Sequence, residues 1–108
     1  MRSDRERIED IKEAIKNIEE YSLIEKEVFF KDRLVQVWVV HHIQLIGEAA
    51  GGISIEFREK NPEISWRKIL AMRNVLVHEY FGIDLDEIWK TMKSDLPLLK
   101  VWLESLHF

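Results

Sequence analysis

The chain contains no cysteine in its 108 residues. Disulfide bridges and thiolate metal sites are therefore excluded, and the absence is compatible with a reducing compartment. Long apolar runs are missing too. The longest apolar stretch, 34–46, is interrupted by Gln36, His41, His42 and Gln44, which leaves it too short and too polar to span a bilayer. The segment from Met1 to Glu20 is charged throughout, so no secretory leader pattern is visible. The expectation is a cytoplasmic protein without a membrane partner. A basic excess is also lacking: the net charge is −4, which argues against a general nucleic-acid binder. What remains is 46% apolar, enough to bury a core and far from a disordered composition. The length suits one domain spanning residues 1–108.

The chain reads as helices. Ser3 and Glu6 form a capping-box pattern, and Ile8, Ile11, Ile15 and Ile18 follow at helical spacing, predicting a first helix to about Glu20. Residues 21–30 are expected to connect, with a short helical turn whose Phe29 and Phe30 cover the core. A second helix is expected from Asp32 to Ala50, stopped by Gly51-Gly52. Its apolar residues lie on more than one face, which suggests a partner surface beside an internal core, and hence a dimer. Ser54 can cap a short helix ending near Asn61-Pro62. Ser65 can cap the next, from Trp66 to about Tyr80, with Gly82 as its stop. Asp84 with Glu87 starts the last helix, which Pro97 should kink or split. The expected architecture is an all-α, four-to-five-helix up-down bundle.

Charge is unevenly spread. Residues 58–80 carry Arg58, Lys60, Arg67, Lys68 and Arg73 against Glu59, Glu63 and Glu79, the one net-positive region in an acidic chain. That region ends in Arg73-Asn74-Val75-Leu76-Val77-His78-Glu79-Tyr80. Arginine matches phosphate geometry, and histidine can take or give a proton near neutral pH. Together they suit phosphodiester chemistry without a metal. The same residues can equally be surface and packing groups of an amphipathic helix. On one straight helix Arg73 and His78 diverge by about 140°. Convergence on one phosphate therefore needs an unwound helix or a second subunit. The negative end of the helix favours a protonated His78, as a general acid requires. In a symmetric pair, one histidine could act as base and the other as acid. A ribose 2′-hydroxyl would then attack phosphorus while Arg73 stabilises the non-bridging oxygens.

The spacing Arg73…His78-Glu79-Tyr80 resembles the motif of the HEPN superfamily (higher eukaryotes and prokaryotes nucleotide-binding). Ile46-Gly47-Glu48-Ala49, Pro62-Glu63-Ile64-Ser65-Trp66, Met72-Arg73-Asn74 and His78-Glu79-Tyr80-Phe81-Gly82, followed by Trp89, look like its HepT-like subfamily over about residues 4–100. The resemblance implies a homodimer with a composite cleft. It implies a metal-independent ribonuclease toxin without a cofactor, with Arg73 and His78 as the catalytic pair and RNA, tRNA in some members, as substrate. It also implies a neighbouring nucleotidyltransferase antitoxin of the MntA type, which transfers AMP to the motif tyrosine, here Tyr80. A second reading is a non-catalytic helical dimer that binds such a nucleotidyltransferase, a nucleotide, or both.

Other candidates carry paired readings. Asn74 orients His78 or contacts phosphate, or is an exposed helix residue. Glu48 orients Arg73 or His78, or is a surface carboxylate. Lys60, Arg67 and Lys68 steer RNA, or form a solvated face. His41 and His42 are adjacent, so they point about 100° apart on a helix and are poor joint ligands for a metal. Packing or interface roles suit them better. Trp38, Trp66, Trp89 and Trp102 could stack on bases but fit a core at helical spacing.

Overall fold

The computed structural model describes residues 2–74 and 84–108, and every regular element among them is helical. Helix α1 (Asp4–Glu19) starts with the expected capping box: Glu6 N–H donates to Ser3 Oγ at 3.1 Å, and Ser3 N–H donates to Glu6 Oε1 at 3.0 Å. Its four isoleucines are buried along one face. The connection contains a short helix, α2 (Lys26–Lys31), which buries Phe29 completely. Helix α3 (Arg33–Gly51) is capped by Asp32, whose carboxylate accepts Val35 N–H.

Helix α3 is the hub of the fold. It packs against α1 and α2, and also against α5 (Trp66–Ala71) and α6 (Leu85–Lys90). Two ties show that α1 and α3 run antiparallel. Asp4 at the start of α1 holds Ser54 just beyond α3, while the Trp38 indole donates to the carbonyl of Asn17 at 2.9 Å. Ser54 also caps α4 (Ile55–Lys60), accepting Phe57 N–H at 3.1 Å.

The fully buried Asn61 ends α4 and anchors two other segments. Its side chain donates to the carbonyl of His107 and accepts His107 N–H at 2.7 Å, while its own carbonyl accepts the Trp66 indole N–H. Ser65 occupies the N-cap of α5 as expected, but its side chain makes no capping hydrogen bond. The Trp66 indole bond supplies the anchor there instead.

Of the two outcomes expected at Pro97, a kink or a split, the split does not occur. Helix α6 runs through a π turn, Thr91–Asp95, directly into α7 (Leu96–Glu104). Leu96 N–H reaches back five residues to the Thr91 carbonyl. A proline in an α-helix lacks a donor and crowds the carbonyl four residues earlier. The π turn widens the ladder just before Pro97 and absorbs that conflict. With α1, α3 and α5, this rod makes four main elements, and α2 and α4 are short connectors. No helix among the described residues is long and apolar enough to cross a membrane.

Candidate active site

Arg73 sits on the solvent side of a buried seam. Helix α5 ends at Ala71, and residues 72–74 continue it as a tighter 3₁₀ turn. Ile69 and Met72 are buried against the core on either side of the turn from Leu70. They fix the backbone that carries Arg73, while Arg73 and Asn74 themselves are exposed. This segment runs antiparallel to α3, with Arg73 beside Gly47 and Leu70 beside Gly51.

The approach to α3 is unusually close. A Cβ on Gly47 would meet the backbone nitrogen of Arg73 and would lie 2.8 Å from both its Cα and its Cβ. Main chain is therefore packed directly on main chain, which only a residue without a side chain allows. One turn on, a Cβ at Gly51 would stand 3.5 Å from Nη1 of Arg73. The guanidinium thus lies along the glycine-lined last turn of α3, near carbonyls that carry the negative end of the helix.

Two further arginines reach the same helix end. Arg58 donates from Nη2 to the carbonyl of Ala50 at 2.8 Å. Arg7 lays its guanidinium over Gly52, where a Cβ would come within 2.6 Å of Nε. Helix α3 has no basic residue of its own in its last turn, so arginines from three other segments complement its dipole. The Gly51-Gly52 pair stops the helix as expected, but for a different reason. Gly52 has φ −93°, open to any residue, so what matters is the room it leaves for Arg7.

Asp4 ties the start of α1 to the residue just beyond this helix end. Its carboxylate accepts the Ser54 hydroxyl at 2.6 Å and the Ser54 backbone N–H at 2.8 Å. Those hydrogen bonds, with smaller contributions from Arg7 and Arg58, hold its pKa below the ordinary carboxylate value.

The remaining sequence candidates fall into separate places. Glu48 is exposed, turned about 100° around α3 from Gly47. It lines a groove of about 400 Å³ between α1 and α3, with Arg7, Asp10, Glu13, Asn17 and His42. Within one chain no ion pair joins Glu48 to Arg73. Lys60, Arg67 and Lys68 are exposed around α4 and the first turn of α5, and none is ion-paired among the described residues. Arg67 and Asn74 are seven residues apart and so share one solvent-facing stripe. His42 is buried, bonded through Nδ1 to the Trp38 carbonyl and through Nε2 to the Asn17 amide, whereas His41 is exposed. Trp66 is core, Trp89 and Trp102 pack partly buried against it, and Trp38 lies at the surface edge. His78 and Tyr80, with the expected end of the fifth helix and its Gly82 stop, lie outside the described residues.

The close seating of Arg73 involves residues from two of the sequence blocks singled out above, Ile46-Gly47-Glu48-Ala49 and Met72-Arg73-Asn74. The ribonuclease HepT-like family model matches residues 11–106. The chain belongs to this family. A relative named "Probable ribonuclease HepT", from Thermococcus cleftensis, is 43% identical over 98% of this chain and 97% of its own length. A protein of Methanocaldococcus jannaschii named "Putative RNase" is 35% identical over 88% of each chain. Another of that name, from Caldanaerobacter subterraneus, is 37% identical over 82% of this chain and 80% of its own. No solved structure matches the chain. The sequence placed Gly47 in a family block, Gly51 as a helix stop and Arg58 in the basic segment, but gave none of them a part in the site, and it did not single out Arg7. The signal available was the spacing of the two glycines, four apart on a helix too apolar to end early.

Proposed function

We propose that this HepT-like protein is a metal-independent ribonuclease toxin acting at a cleft between two copies of the chain. The observation that carries this reading is the exposed Arg73, its backbone seated closely on Gly47 and its guanidinium near Gly51, at the start of the motif that ends in His78 and Tyr80. A planar guanidinium carried on that backbone can hold a phosphodiester through two parallel hydrogen bonds. The ribose 2′-oxygen attacks phosphorus and its proton passes to His78 of one copy. The 5′-oxygen leaves and takes a proton from His78 of the other. The product strand ends in a 2′,3′-cyclic phosphate, and Arg73 stabilises the added charge on the non-bridging oxygens. Lys60, Arg67 and Lys68 guide the RNA strand, tRNA being the first class to test. Asn74, next to Arg73, contacts phosphate, and Glu48 orients the pair across the cleft.

Control falls to Tyr80. A neighbouring nucleotidyltransferase antitoxin of the MntA type, in the same cytoplasm, would bring ATP to the phenol. The phenol oxygen attacks the α-phosphorus and pyrophosphate leaves. The attached AMP adds bulk and negative charge where the RNA phosphate must sit, so substrate is both blocked and repelled.

The purified dimer should cleave RNA in EDTA, and Arg73→Ala or His78→Ala should each abolish cleavage. Cleavage that survives both substitutions sinks the proposal. Tight binding to the nucleotidyltransferase, with no cleavage above the double variant, would instead establish the non-catalytic reading, which the net charge of −4 favours. The mass of the Tyr80 peptide after incubation with that enzyme and ATP tests the regulatory half: absence of added AMP rejects it.

A further inference from the structure

We infer that Gly47 and Gly51 are positioning residues for catalysis, setting the height and the reach of Arg73 over α3. This inference rests on the catalytic role proposed for Arg73. Gly47 sets the height, because a Cβ there overlaps three atoms of Arg73 that cannot rotate away: its backbone nitrogen, its Cα and its Cβ. Ile69 and Met72, both buried, pin the same turn to the core. The overlap is relieved only by lifting the turn off α3. Ordinary carbon contacts lie at about 3.5–4.0 Å, so contacts of 2.8 Å require a shift of about 1 Å. Gly51 sets the reach. Its missing side chain leaves room beside the guanidinium, with Nη1 at 3.5 Å and Leu70 Cδ2 at 4.0 Å from the Cβ position. A single added methyl there makes ordinary contact, whereas a branched side chain fills that room.

A shift of about 1 Å in a group that must align with phosphorus costs about 100-fold in rate. Gly47→Ala should therefore lower kcat about 100-fold on an RNA substrate while KM stays close to the parent value. A structural defect would instead lower the fraction of active protein, with a matching loss of melting cooperativity. Gly51→Val tests the reach without touching the backbone packing, and should lower kcat in the same sense. Arg73→Ala is measured beside them. If Arg73→Ala abolishes cleavage while folded Gly47→Ala and Gly51→Val both cleave at the parent rate, the inference is overturned and the function stands. If Arg73→Ala cleaves like the parent, the catalytic role fails and the inference falls with it. If Gly47→Ala does not fold, Gly51→Val decides alone: a lowered kcat supports the inference and an unchanged one rejects it.

Discussion

The two halves of α3 solve different problems with the same helical backbone. The first half, up to Leu45, turns an apolar stripe outward: Leu34, Trp38 and Leu45, with the polar His41 among them, recur at helical spacing, and Leu34 is 84% exposed. The second half turns Gly47 and Gly51 toward another segment and is ringed by Arg7, Arg58 and Arg73. One half has large side chains left partly or largely exposed, Leu34 most of all. The other has glycines on the face toward the Arg73 segment and lets that neighbour touch its backbone. A single chain leaves the first half incomplete and the second half crowded, so the first is where a second copy would settle and the second is where chemistry would be held in place. Glu48 belongs to the outward stripe, one residue past Gly47, and marks where the two halves meet.

The comparison breaks most visibly if the outward stripe is not an interface. Leu34→Asp with Leu45→Asp should convert the proposed dimer to a monomer in sedimentation, and RNA cleavage should fall to the level of His78→Ala. Leu34 is 84% exposed in the single chain, so Leu34→Asp alone should change the monomer's own stability by no more than about 0.5 kcal/mol. A variant that stays dimeric and active removes the functional division between the halves. The next effect is on the crowded half. Arg58→Ala deletes a charge-assisted bond to the Ala50 carbonyl at the end of α3. The expected cost is about 1–2 kcal/mol in denaturant unfolding, with catalysis retained, since Arg58 serves the helix end and not the phosphate. Loss of cleavage in a stable Arg58→Ala protein would show that the arginine ring acts as one unit.

Much of this was legible in the sequence, for identifiable reasons. Ser3 with Glu6, and Ser54, are caps because short polar side chains reach free N–H groups, and that logic is local. The four isoleucines of α1 report their buried face by period alone. Pro97 was harder, because its conflict can be resolved by a break, a kink or a wider turn, and the choice of a π turn depends on keeping Leu96, Leu99 and Leu103 in the core. The seat of Arg73 was hidden for a different reason. Gly47 looks like a weak point in a helix until the partner segment is known, since its value lies in contact with a residue 26 positions away. Glu48 was legible as a candidate but not as to its direction, because helical position separates it from Gly47 by about 100°.

The smallest expected effect probes how the crowded half is tied to α1. Asp4 accepts two hydrogen bonds from Ser54, and these favour its charged form, so its pKa in the folded chain lies below the unfolded value of about 3.9. The unfolded state then binds more protons than the folded one across that interval, and stability rises with pH through it. The contribution is fully present above the unfolded pKa and is lost as pH falls through the depressed folded value. Asp4 is only partly buried, so solvent screening keeps the energy small. Asp4→Asn should therefore flatten the acid limb of a melting-temperature profile below about pH 4, and leave the profile above pH 6 lower by a nearly constant amount. Ser54→Ala should do the same, because it removes the hydroxyl donor that is the larger cause of the shift. If the parent, Asp4→Asn and Ser54→Ala all trace parallel curves down to pH 3, Asp4 does not gain its charge preference from Ser54. The tie between α1 and the arginine-ringed end of α3 would then be packing alone.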